Sequence, residues 1–252
     1  MKLKLKKILP DIIYPFAAVG IIVALWAIFA AAIDMELIVP SIGSTFDKLG
    51  NLLTGADFYR ALGNTLLRTA ASFLTGALAA LLLSLVSLND SVRKFLSPVI
   101  KIVRSVPTMS VILLTVIWMK PATSPIFVAF LINFPIMYSG FYSAFSGVDK
   151  DLVAMSKVYG VKFKNRLFEL YLPAIAPAAF DCMQSSIGLT VKIVISAEVI
   201  AQTRYSMGIA MQMARGYLET AELLAWTLAA VVLSYILELL IFAIKKAFVR
   251  WK

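Results

Sequence analysis

Val148–Pro177 reads VDKDLVAMSKVYGVKFKNRLFELYLPAIAP, the longest polar interruption between two apolar stretches of a 252-residue chain. It is strongly basic, with Lys150, Lys157, Lys162, Lys164 and Arg166 set against Asp149, Asp151 and Glu169. Leu152, Met155 and Tyr159 recur at i, i+3 and i+7, the spacing of one apolar face on a short helix. Leu167, Leu170 and Tyr171 repeat that pattern beyond Gly160. Glycine takes a left-handed turn at no steric cost, so Gly160 is the natural break between two short arms. Pro173 then opens a new apolar run at a position helices tolerate, the first turn. A plain solvated loop needs neither this length nor two apolar faces. The stretch is read as a docking element for a soluble partner.

The rest of the chain is written for lipid. It is 61% hydrophobic and 15% charged, whereas soluble domains run at about 45–50% apolar and about 25% charged. A soluble core of this length does not absorb that much apolar surface. Cys182 is the only cysteine and there is no histidine, which excludes a disulfide framework and a Cys/His metal site. The basic start MKLKLKKILP has the look of a signal peptide, but the apolar run behind it is long and lacks a small-residue cleavage site. A retained first span is expected.

Six spans are expected, at about 12–33, 61–88, 95–119, 126–145, 174–201 and 223–243, in one all-α domain covering residues 1–252, with a cytoplasmic coupling loop at 148–172. About twenty apolar residues suffice to cross a bilayer core. Between the first two, Ile42, Phe46, Leu49 and Leu53 fall at helical spacing opposite Asp47 and Lys48, an amphipathic interfacial helix. Arg68, Ser72, Thr75, Gly76 and Ala79 share one face of the second span, which reads first as close helix packing through small residues. Residues 89–94 read as a loop, Pro107 interrupts the third span, and the fourth carries Asn133 and Pro135. On the fifth, Asp181, Gln184, Ser185, Gly188, Lys192 and Ser196 fall in one narrow sector. A polar stripe of that length must face protein or water.

Charge placement orients the chain. With both termini in the cytoplasm, the inside holds Lys2, Lys4, Lys6, Lys7, Arg93, Lys94, Lys101, Arg104, the five basic residues of the coupling loop, Lys245, Lys246, Arg250 and Lys252. The outside holds Lys48, Arg60, Arg68, Lys120, Arg204 and Arg215. This is the positive-inside bias. It accounts for the net charge of +10 without a nucleic-acid partner.

The coupling stretch resembles the signature loop of bacterial ABC-importer permeases, whose form is Glu-Ala-Ala, three residues, Gly, about nine residues, an apolar residue, one more, then Leu-Pro. Gly160 and Leu172-Pro173 match it. Val39-Pro40-Ser41, Asn64-Thr65-Leu66-Leu67-Arg68, Arg104-Ser105-Val106-Pro107, Ile117-Trp118 and Ala197-Glu198-Val199-Ile200 look like the nitrate/sulfonate/taurine branch in the same order, over roughly residues 38–240. The family's Glu-Ala-Ala falls on Ala154-Met155-Ser156, so its carboxylate is missing and Asp151 lies one turn earlier.

The resemblance implies a MetI-like type I permease fold in the bacterial cytoplasmic membrane, a multi-pass subunit that forms the pathway for a small polar or anionic solute. It implies three partners besides the bilayer: a cytoplasmic ABC ATPase, a second permease copy as a homodimer, and an extracytoplasmic solute-binding protein. ATP and Mg are expected on the ATPase, with no cofactor in this chain, which has no phosphate-binding G-x-x-x-x-G-K-[ST] loop. The expected ATPase contacts are Asp151, Leu152, Ala154, Met155, Ser156, Tyr159, Gly160, Leu172 and Pro173; the expected pathway residues are Arg68, Asn133, Gln184, Ser185, Gly188, Lys192 and Ser196. For Lys192 the competing reading is outward snorkelling or pairing with a carboxylate on another helix. An intramembrane enzyme would need a nucleophile or metal constellation inside the spans, and none is present in the sequence. An ion-coupled secondary transporter would be marked by an inverted internal repeat; residues 12–119 and 126–243 show none.

Overall fold

A computed structural model describes residues 2–249; Arg250 and Lys252 of the basic tail lie outside them, as do the side chains of Lys2, Lys4, Lys6 and Lys7. Every element among the described residues is helical. In order they are α1 (Lys2–Ile33), α2 (Ile42–Thr54), α3 (Ala56–Val86), α4 (Asp90–Ser105), α5 (Thr108–Trp118), α6 (Ser124–Ser146), α7 (Lys150–Val158), α8 (Phe163–Arg166), a π turn at Leu167–Tyr171, α9 (Leu172–Ala201), α10 (Met207–Gly216) and α11 (Thr220–Phe248). Four segments, α3, α6, Phe163–Ala201 and α11, are long and apolar enough to cross a membrane. The α4–α5 pair makes a fifth if taken as one broken span, and α1 is apolar over Ala17–Ile33.

The expected third span, 95–119, is corrected in two respects. It is two helices bent by 92° at Val106-Pro107, because a residue before proline is pushed out of the α region and Val106 sits at φ −71°, ψ 127°. Its first helix also starts earlier, at Asp90, so residues 90–94 are helical rather than a loop. Asn89 caps it, its side-chain oxygen accepting from the Ser91 N–H at 2.9 Å.

The chain forms two compact units, Met1–Phe58 with Ala210–Ala229, and Tyr59–Ile209 with Ala230–Lys252. In the first, Ser41 caps α2, the Trp26 indole donates to the Pro40 carbonyl at 3.0 Å, and Phe58 stacks on Trp226 at 5.1 Å. Lys48 meets Glu219 at 2.6 Å. That ammonium holds the Glu219 carboxyl below its usual range.

The second unit is built around α6 and α9. Phe73, Ala77 and Ala80 of α3 meet Met137 and Phe141 of α6, Ile187 of α9 and Ile241 of α11. In lipid no hydrophobic force drives helices together, so close van der Waals approach and polar contacts hold them. α3 is sorted accordingly. Thr65, Thr69, Ser72, Ala80 and Ser84 are buried, while Leu67, Leu74, Leu78 and Leu82 are exposed, the reverse of a soluble helix. Gly76 sits against Phe130 of α6, as the small-residue reading expects.

This sorting makes α3 sensitive to bulk on its small face. Ala80→Leu should destabilise the unit by about 1–3 kcal/mol through overpacking. Leu78→Ala should stay within about 0.5 kcal/mol, as an exposed change does. Thermal unfolding of the two variants in one detergent compares them; equal effects would contradict the sorting.

Candidate coupling element and polar faces of α9

α7 is a self-capped helix. The Asp149 carboxylate accepts from the N–H groups of Asp151 at 2.8 Å and Leu152 at 3.4 Å. At its other end Gly160 has φ +68°, its N–H reaches the Lys157 carbonyl, and the Val161 N–H reaches that of Ser156, both at 3.0 Å. That pair of bonds is a Schellman closure, which wants glycine at the left-handed position. The element turns one side to the bundle: Val153 packs against the cluster of Phe145, Val148 and Ile175, as do Leu170, Tyr171 and Leu172. Ser156 is half-buried and donates to the Val153 carbonyl at 2.7 Å. Asp151, Leu152, Ala154, Met155 and Tyr159 point away and are exposed, Tyr159 by 78%.

The second arm is corrected. Residues 163–171 are no separate helix; α8 runs through the π turn into α9, one helical segment from Phe163 to Ala201. Pro173 has no N–H for the ladder, and the register widens just before it, the Leu172 N–H reaching back to the Leu167 carbonyl. Leu172 and Pro173 are half-buried at this join.

The predicted stripe on α9 divides. Asp181, Ser185, Lys192 and Ser196 are exposed and Gln184 is half-buried, but Gly188 is buried against the Glu238 carboxylate of α11. Asp181 pairs with Lys245. The hydroxyls of Ser185 and Ser196 donate to carbonyls one turn back, at 3.0 and 2.9 Å. Among the described residues Lys192 makes no ion pair. Asn133 turns away from this face: its amide donates to Thr190 Oγ1 and the Ser186 carbonyl between α6 and α9, and its carbonyl oxygen is buried without a partner among the described residues.

Arg68 finds a different neighbour. Its Nη1 lies 2.8 Å from Oε1 of Glu198, whose side chain is fully buried. Thr65 Oγ1 lies 2.9–3.0 Å from both carboxylate oxygens, and the Gly208 N–H donates to Oε2 at 3.2 Å. The Met207 N–H meets Thr65 Oγ1 at 3.1 Å. Ser206 caps α10, accepting from the Ile209 N–H at 3.2 Å. The carboxylate therefore faces the positive end of a helix. Only glycine fits at 208, since a Cβ there would lie 2.5–2.8 Å from Glu198 Cβ, the Ile195 carbonyl and the Val199 nitrogen. In the sequence Glu198 stands within Ala197-Glu198-Val199-Ile200 near the end of a span, with no partner indicated. An arginine inside another span is the signal that would have paired them, because intramembrane charges seek one another.

Removing one partner leaves a buried charge alone, at about 3–5 kcal/mol. Arg68→Met and Glu198→Gln should each approach that loss, and the double variant should lose much less than their sum. Chemical unfolding in detergent measures the cycle; additive losses would show the pair to be idle.

Residues 86–252 match the family described as binding-protein-dependent transport system inner membrane component. Taurine transport system permease protein TauC of Escherichia coli (strain K12) is 24% identical over 236 residues, covering 90% of this chain and 84% of that one. SsuC of Bacillus subtilis (strain 168), a permease protein named for aliphatic sulfonates transport, is 20% identical over 237 residues, with coverages of 92% and 85%. The fold is that of solved ABC transporters. A chain of the MetNI methionine ABC transporter in an inward-facing conformation has a TM-score of 0.59 at 15% identity, covering 75% of this chain and 93% of that one. A chain of a bacterial ABC transporter involved in the import of the acidic polysaccharide alginate has a TM-score of 0.68 at 17% identity, with coverages of 98% and 99%. The chain belongs to the binding-protein-dependent transport inner membrane components: it is a multi-pass permease subunit of an ABC importer, and ATP hydrolysis belongs to a separate subunit.

Proposed function

We propose that this permease carries a small polar or anionic solute, sulfonate- or taurine-like or a vitamin precursor, and that two copies form its pathway. Both termini lie in the cytoplasm by the positive-inside bias. The ATPase, which holds ATP and Mg, docks on the exposed face of α7 formed by Leu152, Met155 and Tyr159 with Asp151, Ala154 and Gly160 beside it. The observation that carries this reading is that an apolar face stands exposed on a helix capped at both ends. With no glutamate at Ala154, apolar burial rather than an ion pair supplies the contact. Leu172 and Pro173 join the docked segment to α9, so a movement of the ATPase pair is passed to the span as a switch between inward- and outward-open packings.

In the assembled importer, Gly160→Arg should abolish ATP-driven uptake while leaving the permease in the membrane. Open space surrounds the glycine, so the damage comes from the left-handed backbone rather than from a clash. Normal uptake would refute the docking role.

The solute is proposed to pass along Lys192, Gln184, Ser185 and Ser196, with Arg68, Asn133 and Gly188 holding the helices that present them. Lys192→Met should express and fold normally, because no carboxylate is left unpaired, and should reduce uptake about tenfold, the equivalent of one charge-assisted contact. Unchanged uptake would rule out the pathway role.

A further inference from the structure

α4 carries two opposed faces. Phe95, Val99 and Ile102 are exposed on one; Arg93, Lys101 and Arg104 fall at helical spacing on the other, with Lys94 beside them. The basic face lines an open cleft of about 520 Å³ against Ser139 and Tyr142 of α6. No carboxylate is among its lining residues. Arg93 alone of the four cations has an ion pair among the described residues, an exposed one with Asp90 at 3.0 Å. Arg104 Nη1 lies 3.4 Å from Ser139 Oγ, whose proton already goes to the Pro135 carbonyl. Among the described residues the Tyr142 hydroxyl has no hydrogen-bond partner. The cleft is thus a concave surface of cations without a carboxylate in its lining.

Four like charges around one opening repel one another until an anion enters, and the planar fork of arginine matches a tetrahedral oxyanion with two parallel bonds. Basic pockets between membrane helices take anionic lipid headgroups by the same chemistry. We propose that the α4–α6 cleft is an anion-binding site that takes a phosphoryl or sulfonyl group, presented either by a phospholipid headgroup or by a free oxyanion. The site is separate from the exposed strip of α9, and its existence needs neither ATPase docking nor a role for Lys192. Its position gives it a consequence. Tyr142 lies on the last turns of α6, which leads directly into Asp149 and α7. A bound anion ties α4 to the helix that carries the coupling element.

The test uses the purified full chain in phosphatidylcholine nanodiscs, with and without added phosphatidylglycerol, and with sodium phosphate or sulfate against sodium chloride at matched ionic strength. Thermal midpoint and apparent affinity are read. A rise of about 2–4 °C is expected on occupation. A response to phosphatidylglycerol alone assigns the headgroup, and a response to phosphate or sulfate in neutral discs assigns the free anion. K101Q/R104Q should weaken the response about tenfold, K101R/R104K should keep it, and Lys120→Gln, a cation outside the cleft, should leave it unchanged. Should K101Q/R104Q fail to fold, Lys94→Gln, an exposed side chain, serves in its place and must weaken the response by itself. Equal midpoints in every medium, or the full response retained by K101Q/R104Q or by Lys94→Gln, would overturn the site.

Discussion

A guanidinium and a carboxylate out of water set the frame of the second unit. Arg68 and Glu198 meet at 2.8 Å with the carboxylate fully buried, and desolvation of two such ions costs several kcal/mol each before their attraction returns any of it. The arrangement holds because further donors, the Thr65 hydroxyl and the Gly208 N–H, share the carboxylate. Apolar contact between helices discriminates weakly in lipid, since a leucine is as well solvated by acyl chains as by its neighbours. The ion pair does discriminate. Sliding α3 by one turn along α9 would strand both charges, so it fixes register where leucines cannot.

The pair also defines what α9 is able to transmit. Glu198 lies 26 residue steps beyond Leu172, about 39 Å at 1.5 Å per residue. One end of this helix is held by α3 and the start of α10; the other continues through the π turn and α8 toward α7. Between them the helix is locked to α6 by the Asn133 amide and by the approach of Cys182 to Gly140. A displacement applied at the α8 end would therefore meet a helix held at its far end. Pro173 and Pro177, both near the coupling end, are where its hydrogen-bond ladder is weakest.

Local chemistry was readable in the chain, and long-range pairing was not. Gly160 announces one end of α7 because capping depends on residues within a few positions; the Asp149 cap at the other end is a local signal of the same kind that the charge count of the loop passes over. Pro107 announces a break for the same reason, though its 92° angle depends on what α4 and α5 pack against. Asn89 caps a helix whose first turns read as a loop, since Asp90, Arg93 and Lys94 make them polar, with Arg93 and Lys94 facing the cleft. The arm after Gly160 fuses with α9, and periodicity shows where a helix exists, not where two helices fuse. Glu198 and Arg68 are 130 residues apart. No spacing rule joins them, and only their shared membrane depth hints at the bond.

Cations are distributed unevenly over the second unit. On the exposed strip of α9, Ser185 and Ser196 have given their protons to their own helix, which leaves the Lys192 ammonium as a charge with no ion pair among the described residues. One ammonium on a flexible stem attracts an anion without enclosing it, and conduction requires binding strong enough to admit a solute yet weak enough to release it. The α4–α6 cleft has the opposite character, with four cations converging on one opening and hydroxyls at its wall. Such a surface holds an anion rather than passing it on. The two basic features of the second unit therefore differ in kind: α9 offers one exposed ammonium with no ion pair among the described residues, and α4 offers a cluster of four cations against the helix that leads into α7.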